Sequence, residues 1–505
     1  METHQTENYK NGRLRIRLLI GGSLVGLFSG LIAVFYRYTL GQIDGIRNFL
    51  FSDMTAAKGA GMLLAFFVLA FLMHRLLSWA PYSGGSGIPQ IRGQLLGRAE
   101  IAPVPTLISK FFGGSMAALS GLTLGREGPS IQLGGTLAGL LADKAGVSHM
   151  ESRYLVTAGA SAGLAAAFNA PLAGALFALE EMHKSLSHYF VVPCIVSSVV
   201  ANFVSFRLLG MEPAFSFPME RMLPVDFIWA PVAIGVLGGV FGVVFNKGLL
   251  ATSARIKALS IPRYGVIFLA MALVFLFGLY NPLLLGGGHG LIESLADAPM
   301  APRLLVLFFC IRLLLVWTGY GSGAQGGIFL PVLTLGALLG AFGHFVLPID
   351  DIYYANFLYL GMAAILSSVI QAPLLSILLV SEMSGTMLQM ISVTTAAMVA
   401  YLIAQILKSE PIYESLYDNM FAEDSRAGEP AYSMQYFLVP GDAPYIGIPL
   451  HRMHIPHHGM IASVQREGRI FTPNRDTTLE GGDEILLLIA EESLEAATEY
   501  FGGAP

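Results

Sequence analysis

Glu127 stands where a carboxylate is hardest to accommodate: Gly125-Arg126-Glu127-Gly128-Pro129 breaks two strongly apolar stretches. An ionisable side chain at membrane depth is costly unless it faces a pathway or a partner, so Glu127 is a candidate functional group. The helix expected to start at Pro129 offers free amides that attract an anion. A tethered carboxylate can fill the place of a free anion there and leave it when protonated; a structural Arg126–Glu127 pair is the alternative. A second break, Gly326-Gly327-Ile328-Phe329-Leu330-Pro331, carries no charge. Its chemistry can come only from backbone donors, the Ile328 and Phe329 amides at the next helix start; a packing glycine pair is the other reading. In Gly84-Gly85-Ser86-Gly87-Ile88-Pro89, Gly85 and Gly87 permit close backbone approach. The Ser86 hydroxyl with free amides makes an anion nest, although Gly-Ser-Gly turns are common. Glu180-Glu181 follows an apolar helical turn. Adjacent carboxylates point about 100° apart on a helix and cannot share one role.

The elements that position these groups recur. A shift of 202 residues lays Gly125 and Pro129 on Gly327 and Pro331, and Gly134 on Gly336. It also lays Ala170-Pro171-Leu172 on Ala372-Pro373-Leu374, Glu180 on Glu382, and Lys110 on Arg312. Interrupted hydrophobic segments at matching places in two halves are the sequence sign of a transporter that binds its ion between repeats. Glu180 has a repeat partner, which suggests a structural task. Glu181 falls on Met383, so it is the candidate for something asymmetric such as proton entry, with a solvated helix end as the alternative.

Only 12% of the 505 residues are charged and 54% are hydrophobic, where a soluble domain carries about a quarter charged residues. This excludes a soluble globular protein. Stretches at 18–36, 60–77, 190–209, 229–246, 265–280 and 303–317 are long enough to span a bilayer. Those near 131–142, 155–168, 172–179, 328–347, 357–370 and 373–380 read as short or cut by Gly and Pro. The expected fold is an all-α polytopic membrane domain of two inverted repeats with broken helices, followed by a small cytoplasmic α+β domain. Residues 1–17 read as a cytoplasmic tail, because Lys10, Arg13, Arg15 and Arg17 precede a retained first span. The membrane domain is placed at 18–418, with repeats at about 18–210 and 225–407. The acidic remainder changes character: residues 419–505 hold thirteen Asp/Glu against five Arg, a balance of −8. Within it 432–439 and 484–489 read as strands, 459–472 as a hairpin turning at Arg466-Glu467-Gly468-Arg469, and 491–501 as a helix. His451, His454, His457 and His458 lack a carboxylate or Cys at ligand spacing and read as a surface loop; Cys194 and Cys310 read as buried hydrophobes. No metal site, cofactor or nucleic-acid partner is expected, and no enzyme.

Together, Gly-Ser-Gly-Ile-Pro (85–89), Lys-Phe-Phe-Gly-Gly (110–114), Gly-Arg-Glu-Gly-Pro (125–129), Phe-Asn-Ala-Pro-Leu-Ala-Gly (168–174) and Gly-Ile-Phe-Leu-Pro (327–331) resemble the CLC family of chloride channels and chloride/proton antiporters, over about 15–418. The resemblance implies a homodimer in the cell membrane, multi-pass with both termini cytoplasmic, and one ion pathway per subunit. It implies that the Ser86 and Tyr413 hydroxyls and the Ile328 and Phe329 amides line the chloride sites. Glu127 would be the external gating and proton glutamate and Glu181 the internal proton-transfer glutamate, with Gly85, Gly87, Arg126, Gly128 and Lys110 in support. The expected function is secondary active exchange of chloride for protons. The alternative is a passive, voltage- or ligand-regulated chloride channel. The family often has acidic residues after Gly-Ile-Pro, where Gln90 and Arg92 stand here; Arg92 is expected to alter the charge balance near Lys110 and Glu181. The fluoride-exporting branch departs across these chloride motifs, and nitrate-preferring members differ at the serine. The tail (430–503) is similar to the C-terminal subdomain of the RCK/TrkA family, which implies a regulatory domain, dimerisation and a small cytosolic ligand. A third reading makes the chain a ligand sensor with the membrane domain as its output.

Overall fold

The structure, a computed structural model, describes residues 2–183, 188–211, 213–215, 221–421, 432–441, 443–453, 455, 459–466, 469–490 and 493–501. Two compact units divide the chain, Met1–Met420 and Phe421–Pro505. The first is two octets of helices. The first octet is α1 (Glu2–Phe51), α2 (Ala56–Trp79), α3 (Ile88–Leu95), α4 (Pro103–Leu119), α5 (Glu127–Ala145), α6 (His149–Phe168), α7 (Pro171–Phe177) and α8 (His188–Leu209). The second is α9 (Trp229–Lys257), α10 (Arg263–Tyr280), α11 (His289–Asp297), α12 (Pro302–Gly321), α13 (Phe329–Val346), α14 (Tyr354–Ile370), α15 (Pro373–Met383) and α16 (Met390–Ile406). One further helix, α17 (Ile412–Phe421), ends this unit.

Prolines set several starts. Pro103, Pro171, Pro302 and Pro373 each open a helix, where the missing N–H would have had no partner. The residue before a proline avoids the helical region, so α6 and α14 must stop before Ala170-Pro171 and Ala372-Pro373. They end on Asn169 and Gln371, both left-handed at φ 56° and 55°. The core of each repeat is a close helix pair. A Cβ on Gly134 would strike the Gly159 carbonyl, and one on Gly336 the Gly361 carbonyl, so α5 crosses α6 as α13 crosses α14.

Eight described helices are long and apolar enough to span a membrane. Two of them, Phe329–Val346 and Asp351–Ile370, correct the reading of those segments as short or cut. Pro331 lies within the first turn of α13, where it breaks nothing, and the glycines of α13 serve packing. α1 begins at Glu2 and so runs through the 1–17 segment without a break. Cys194 is buried as expected, but Cys310 is exposed on the outside of α12.

In the second unit, β1 (Tyr432–Leu438), β2 (Met460–Arg466), β3 (Arg469–Phe471) and β4 (Glu484–Ala490) form an antiparallel sheet in the order β1-β4-β2-β3, followed by α18 (Leu494–Phe501). Ile485 pairs with Phe437 on one side and Val464 on the other. With Leu487 and Ile489 it packs against Ala497 and Phe501. Arg466 forks onto the buried Asp483, Nε to Oδ1 at 2.8 Å and Nη2 to Oδ2 at 2.7 Å, and also reaches Glu480. Burial, the largest single influence, would raise the Asp483 carboxyl, but the Arg466 hydrogen bonds, the Glu480 amide and the Arg466 charge together outweigh it and hold the group below its ordinary range. His451 Nδ1 contacts the Arg475 carbonyl at 2.7 Å. His454, His457, His458 and the Glu467-Gly468 turn lie outside the described residues.

Candidate functional site

Three chain breaks meet inside the first unit. The Gly125 amide donates to the Gly327 carbonyl at 2.7 Å, and the Gly327 amide donates in return to the Gly125 carbonyl at 2.8 Å. These two bonds tie the start of α5 to the start of α13. The Gly85 amide donates to Ala324 O at 3.1 Å and the Gly326 amide to Gly85 O at 3.0 Å, which joins the loop before α3 to the same point. That loop needs its glycines. Gly85 and Gly87 are left-handed at φ 59° and 97°, a conformation open to glycine at little cost. A Cβ on Gly128 would stand 2.6 Å from the Ser86 carbonyl oxygen, so only glycine lets α5 approach the loop.

The loop is braced from below. Lys110 of α4 is fully buried and donates Nζ to the carbonyls of Ser83 (3.1 Å) and Gly85 (2.7 Å). Gln90 Nε2 reaches Gly84 O at 2.6 Å and Gln132 Nε2 reaches Tyr82 O at 2.7 Å. With its carbonyls engaged, the loop presents the buried Ser86 hydroxyl, which accepts from the Ile88 amide at 3.3 Å. The Tyr320 hydroxyl of α12 also faces Ser86.

Glu127 is the first residue of α5 and has no exposed surface. Neither of its carboxylate oxygens makes a hydrogen bond; its own amide and that of Leu330 face it outside bonding geometry. Arg126 Nε lies 3.9 Å from Oε1. Ile328 caps α13 and Phe329 is its first residue, both buried. The first amides of a helix have no partner within it. Tyr413 of α17 stacks on Phe329, ring centroids 5.8 Å apart, and its buried hydroxyl makes no hydrogen bond. It lies within electrostatic reach of Tyr320, Glu127 and Glu181. Glu181 is buried in a π-helical stretch, Ala178–His183, that prolongs α7; such turns are frequent at functional sites.

Ser86, Glu127, Ile328, Phe329, Tyr413 and their supports Gly85, Gly87, Arg126, Gly128 and Lys110 are therefore brought together, and Glu181 lies near Tyr413. Arg92, at the end of α3, is engaged by α17. It pairs with Glu414 at 3.4 Å and lies over the Tyr417 ring at 5.3 Å. Glu180 and Glu382 carry out a reciprocal structural task. Glu180 accepts from the Leu374 and Leu375 amides at the start of α15, and Glu382 from Leu172 and Ala173 at the start of α7.

Sequence reasoning matched Arg312 to Lys110 but missed Tyr320 and the loop that Arg312 braces. Tyr320 carries no local signal. Arg312, the repeat partner of Lys110, braces a second loop by donating to the carbonyls of Leu284, Gly286 and Gly287. That loop matches the Ser86 loop at a shift of 201 rather than 202, with Gly286 and Gly288 left-handed at φ 64° and 109°. A gapless repeat search passes over it.

Comparison with known proteins fits this geometry. A family model described as voltage gated chloride channel matches residues 71–405, and a TrkA-C domain model matches 434–502. The H(+)/Cl(-) exchange transporter ClcA of Vibrio parahaemolyticus is 35% identical over 434 residues, 82% of this chain and 92% of that protein. Its counterpart in Klebsiella pneumoniae is 33% identical over 431 residues, 81% and 90%. The crystal structure of a slow cyanobacterial Cl−/H+ antiporter superposes with a TM-score of 0.77 at 29% identity, covering 81% of this chain and 99% of that one. A CLC-type fluoride/proton antiporter shares the fold, with a TM-score of 0.67 at 23% identity over 79% of this chain and 97% of that one.

Proposed function

Because the chain belongs to the voltage gated chloride channel family, we propose that it exchanges chloride for protons across the cell membrane, as a homodimer with cytoplasmic termini. The observation that carries this reading is an enclosed meeting point of three broken segments around a buried carboxylate that no protein donor satisfies. Chloride sits among the Ile328 and Phe329 amides and the Ser86 and Tyr413 hydroxyls, held by partial rather than full charges. Binding of that kind is weak enough to release. The Glu127 carboxylate competes for the same donors, and protonation removes its charge and frees the place. Chloride entry and proton uptake are thereby linked through one side chain. Glu181 passes the proton on the inner side, and the TrkA-C-like tail binds a small cytosolic ligand that regulates transport.

The test is proton movement in proteoliposomes under an imposed chloride gradient, comparing wild type with Glu181→Gln. Uphill proton pumping is expected in the wild type and not in the variant, while chloride flux continues in both. Chloride flux without pumping in the wild type would leave a passive channel. That alternative rests on Arg92 unbalancing the inner proton path, whereas Arg92 is paired with Glu414.

A further inference from the structure

The second braced loop opens on a cavity of about 230 Å³ that also reaches Gly125 and Arg126 at the start of α5. At ~30 Å³ per water it holds an ion with several waters. Its titratable lining is Tyr36, Asp44, Arg47, Arg126 and His289; neither Glu127 nor Glu293 is among the residues that line it. Asp44 is engaged by Arg47 at 2.6 Å. The Nε atoms of Arg47 and Arg126 are buried and hydrogen-bond nothing. The loop that closes the cavity, Leu285 to Gly288, has the backbone shape and cation bracing of the Ser86 loop, and it opens the nine-residue α11 as that loop opens α3. The His289 and Gly290 amides begin α11 and have no partner within it.

His289 adds the deciding detail. Its Nδ1 lies 3.3 Å from Glu293 Oε2 and its Nε2 lies 3.1 Å from the Ala214 carbonyl oxygen. Both neighbours are acceptors, and a neutral imidazole has one N–H. Only the imidazolium satisfies both contacts. The groups around it are Glu293 of its own helix, the Ala214 carbonyl and Phe215 ring of the inter-repeat connection, Arg126 and Glu127 of α5, and Arg47 and Asp44 of α1 across the cavity.

We propose that this cavity is an outer binding site for a small monovalent anion, the repeat-related mate of the Ser86 loop, with protonated His289 as its third cation. The imidazolium, Arg47 and Arg126 then face one carboxylate, Asp44, within the lining, while Glu293 and Glu127 lie beside His289 without lining the cavity. Arg47 is near the far end of α1 from the basic N-terminus, so the site faces the side opposite that terminus and stands ahead of Glu127. An anion captured there reaches the α5 and α13 amides when Glu127 withdraws. This inference rests on the transport reading above.

Bromide in crystals of the full-length protein, located by anomalous scattering, separates the two. Bromide is expected both beside Ser86 and in the cavity. The cavity peak is expected to be lost in His289→Gln and kept in His289→Arg. Bromide beside Ser86 with none in the cavity overturns the outer site alone, and bromide at neither overturns the parent reading with it. In proteoliposomes the external chloride concentration for half-maximal flux should be about tenfold higher in His289→Gln than in the wild type, the loss of one unit charge at a partly buried site. It should stay at the wild-type value in His289→Arg. An equal value in all three proteins overturns the role of His289.

Discussion

At the scale of single residues, the site is defined by polar atoms without protein partners. The Tyr413 hydroxyl is one: it is buried, makes no hydrogen bond, and hangs from a ring already fixed by stacking on Phe329. Tyr413→Phe keeps the stack and deletes a hydroxyl that no protein group uses. Thermal stability should be unchanged or slightly raised. Chloride affinity by isothermal titration should fall at least roughly tenfold, the worth of one hydrogen bond to a charged ligand at about 1.5–3 kcal/mol. A destabilised variant with wild-type affinity would remove Tyr413 from the anion site. In the tail the logic is reversed, because Asp483 is fully partnered by Arg466. Its folded carboxyl titrates below the ordinary value of 3.8. The pair's stabilisation is therefore complete above that value and is lost as pH falls through the lower folded one. Protection of the β4 amides against hydrogen exchange, taken relative to the intrinsic rate at each pH, should fall in that acid window for the wild type in the full chain. Asp483→Asn should exchange faster at neutral pH and show no such acid step.

At the scale of elements, the reciprocal carboxylates make a prediction that separates them from their neighbour. Glu382→Ala strips two amides at the start of α7 of their acceptor, and Glu180→Ala does the same at α15. Each should cost about 1–2 kcal/mol, the value of a helix cap with its dipole contribution. Both melts should drop by similar amounts while the chloride-to-proton ratio of the surviving protein stays at its wild-type value. A changed ratio would give these glutamates a part in the proton path. Their repeat relation could be read from sequence because the stretch from Gly125 to Glu180 keeps its length in both halves, so Glu180 aligns with Glu382 without a gap. The breaks at Gly125 and Gly327 were legible for a related reason: glycine before proline in an apolar run has few other uses. The π-helical turn around Glu181 was not legible, since Ala178–His183 reads as an ordinary helix and no local residue preference encodes the extra residue per turn. The Arg312 loop was hidden by one residue of length difference. The partner of Arg92 was not legible either, since Glu414 lies 322 residues along the chain and only the fold brings α17 to the end of α3.

At the scale of the whole molecule, the two units differ in what they contribute to transport. Every residue of the candidate site lies in Met1–Met420, but Tyr413 sits on the last helix of that unit, eight residues before the next unit begins at Phe421. Two truncations follow from this placement. A chain ending after Phe421 keeps α17, the Phe329–Tyr413 stack, and the Asn246 contact to the Glu410 carbonyl at 3.1 Å. It should exchange chloride for protons in proteoliposomes at the wild-type ratio. A chain ending after Lys408 loses all three and should bind chloride at least tenfold more weakly, about 1.4 kcal/mol or more. If the tail is regulatory, only the first truncation can reveal it, as transport that persists but no longer responds to the cytosolic extract that modulates the full chain. Unchanged responsiveness would confine the tail to assembly, which native mass spectrometry would register as a weakened dimer. Loss of transport from a folded protein ending at Phe421 would mean instead that the anion site depends on a unit that supplies none of its residues.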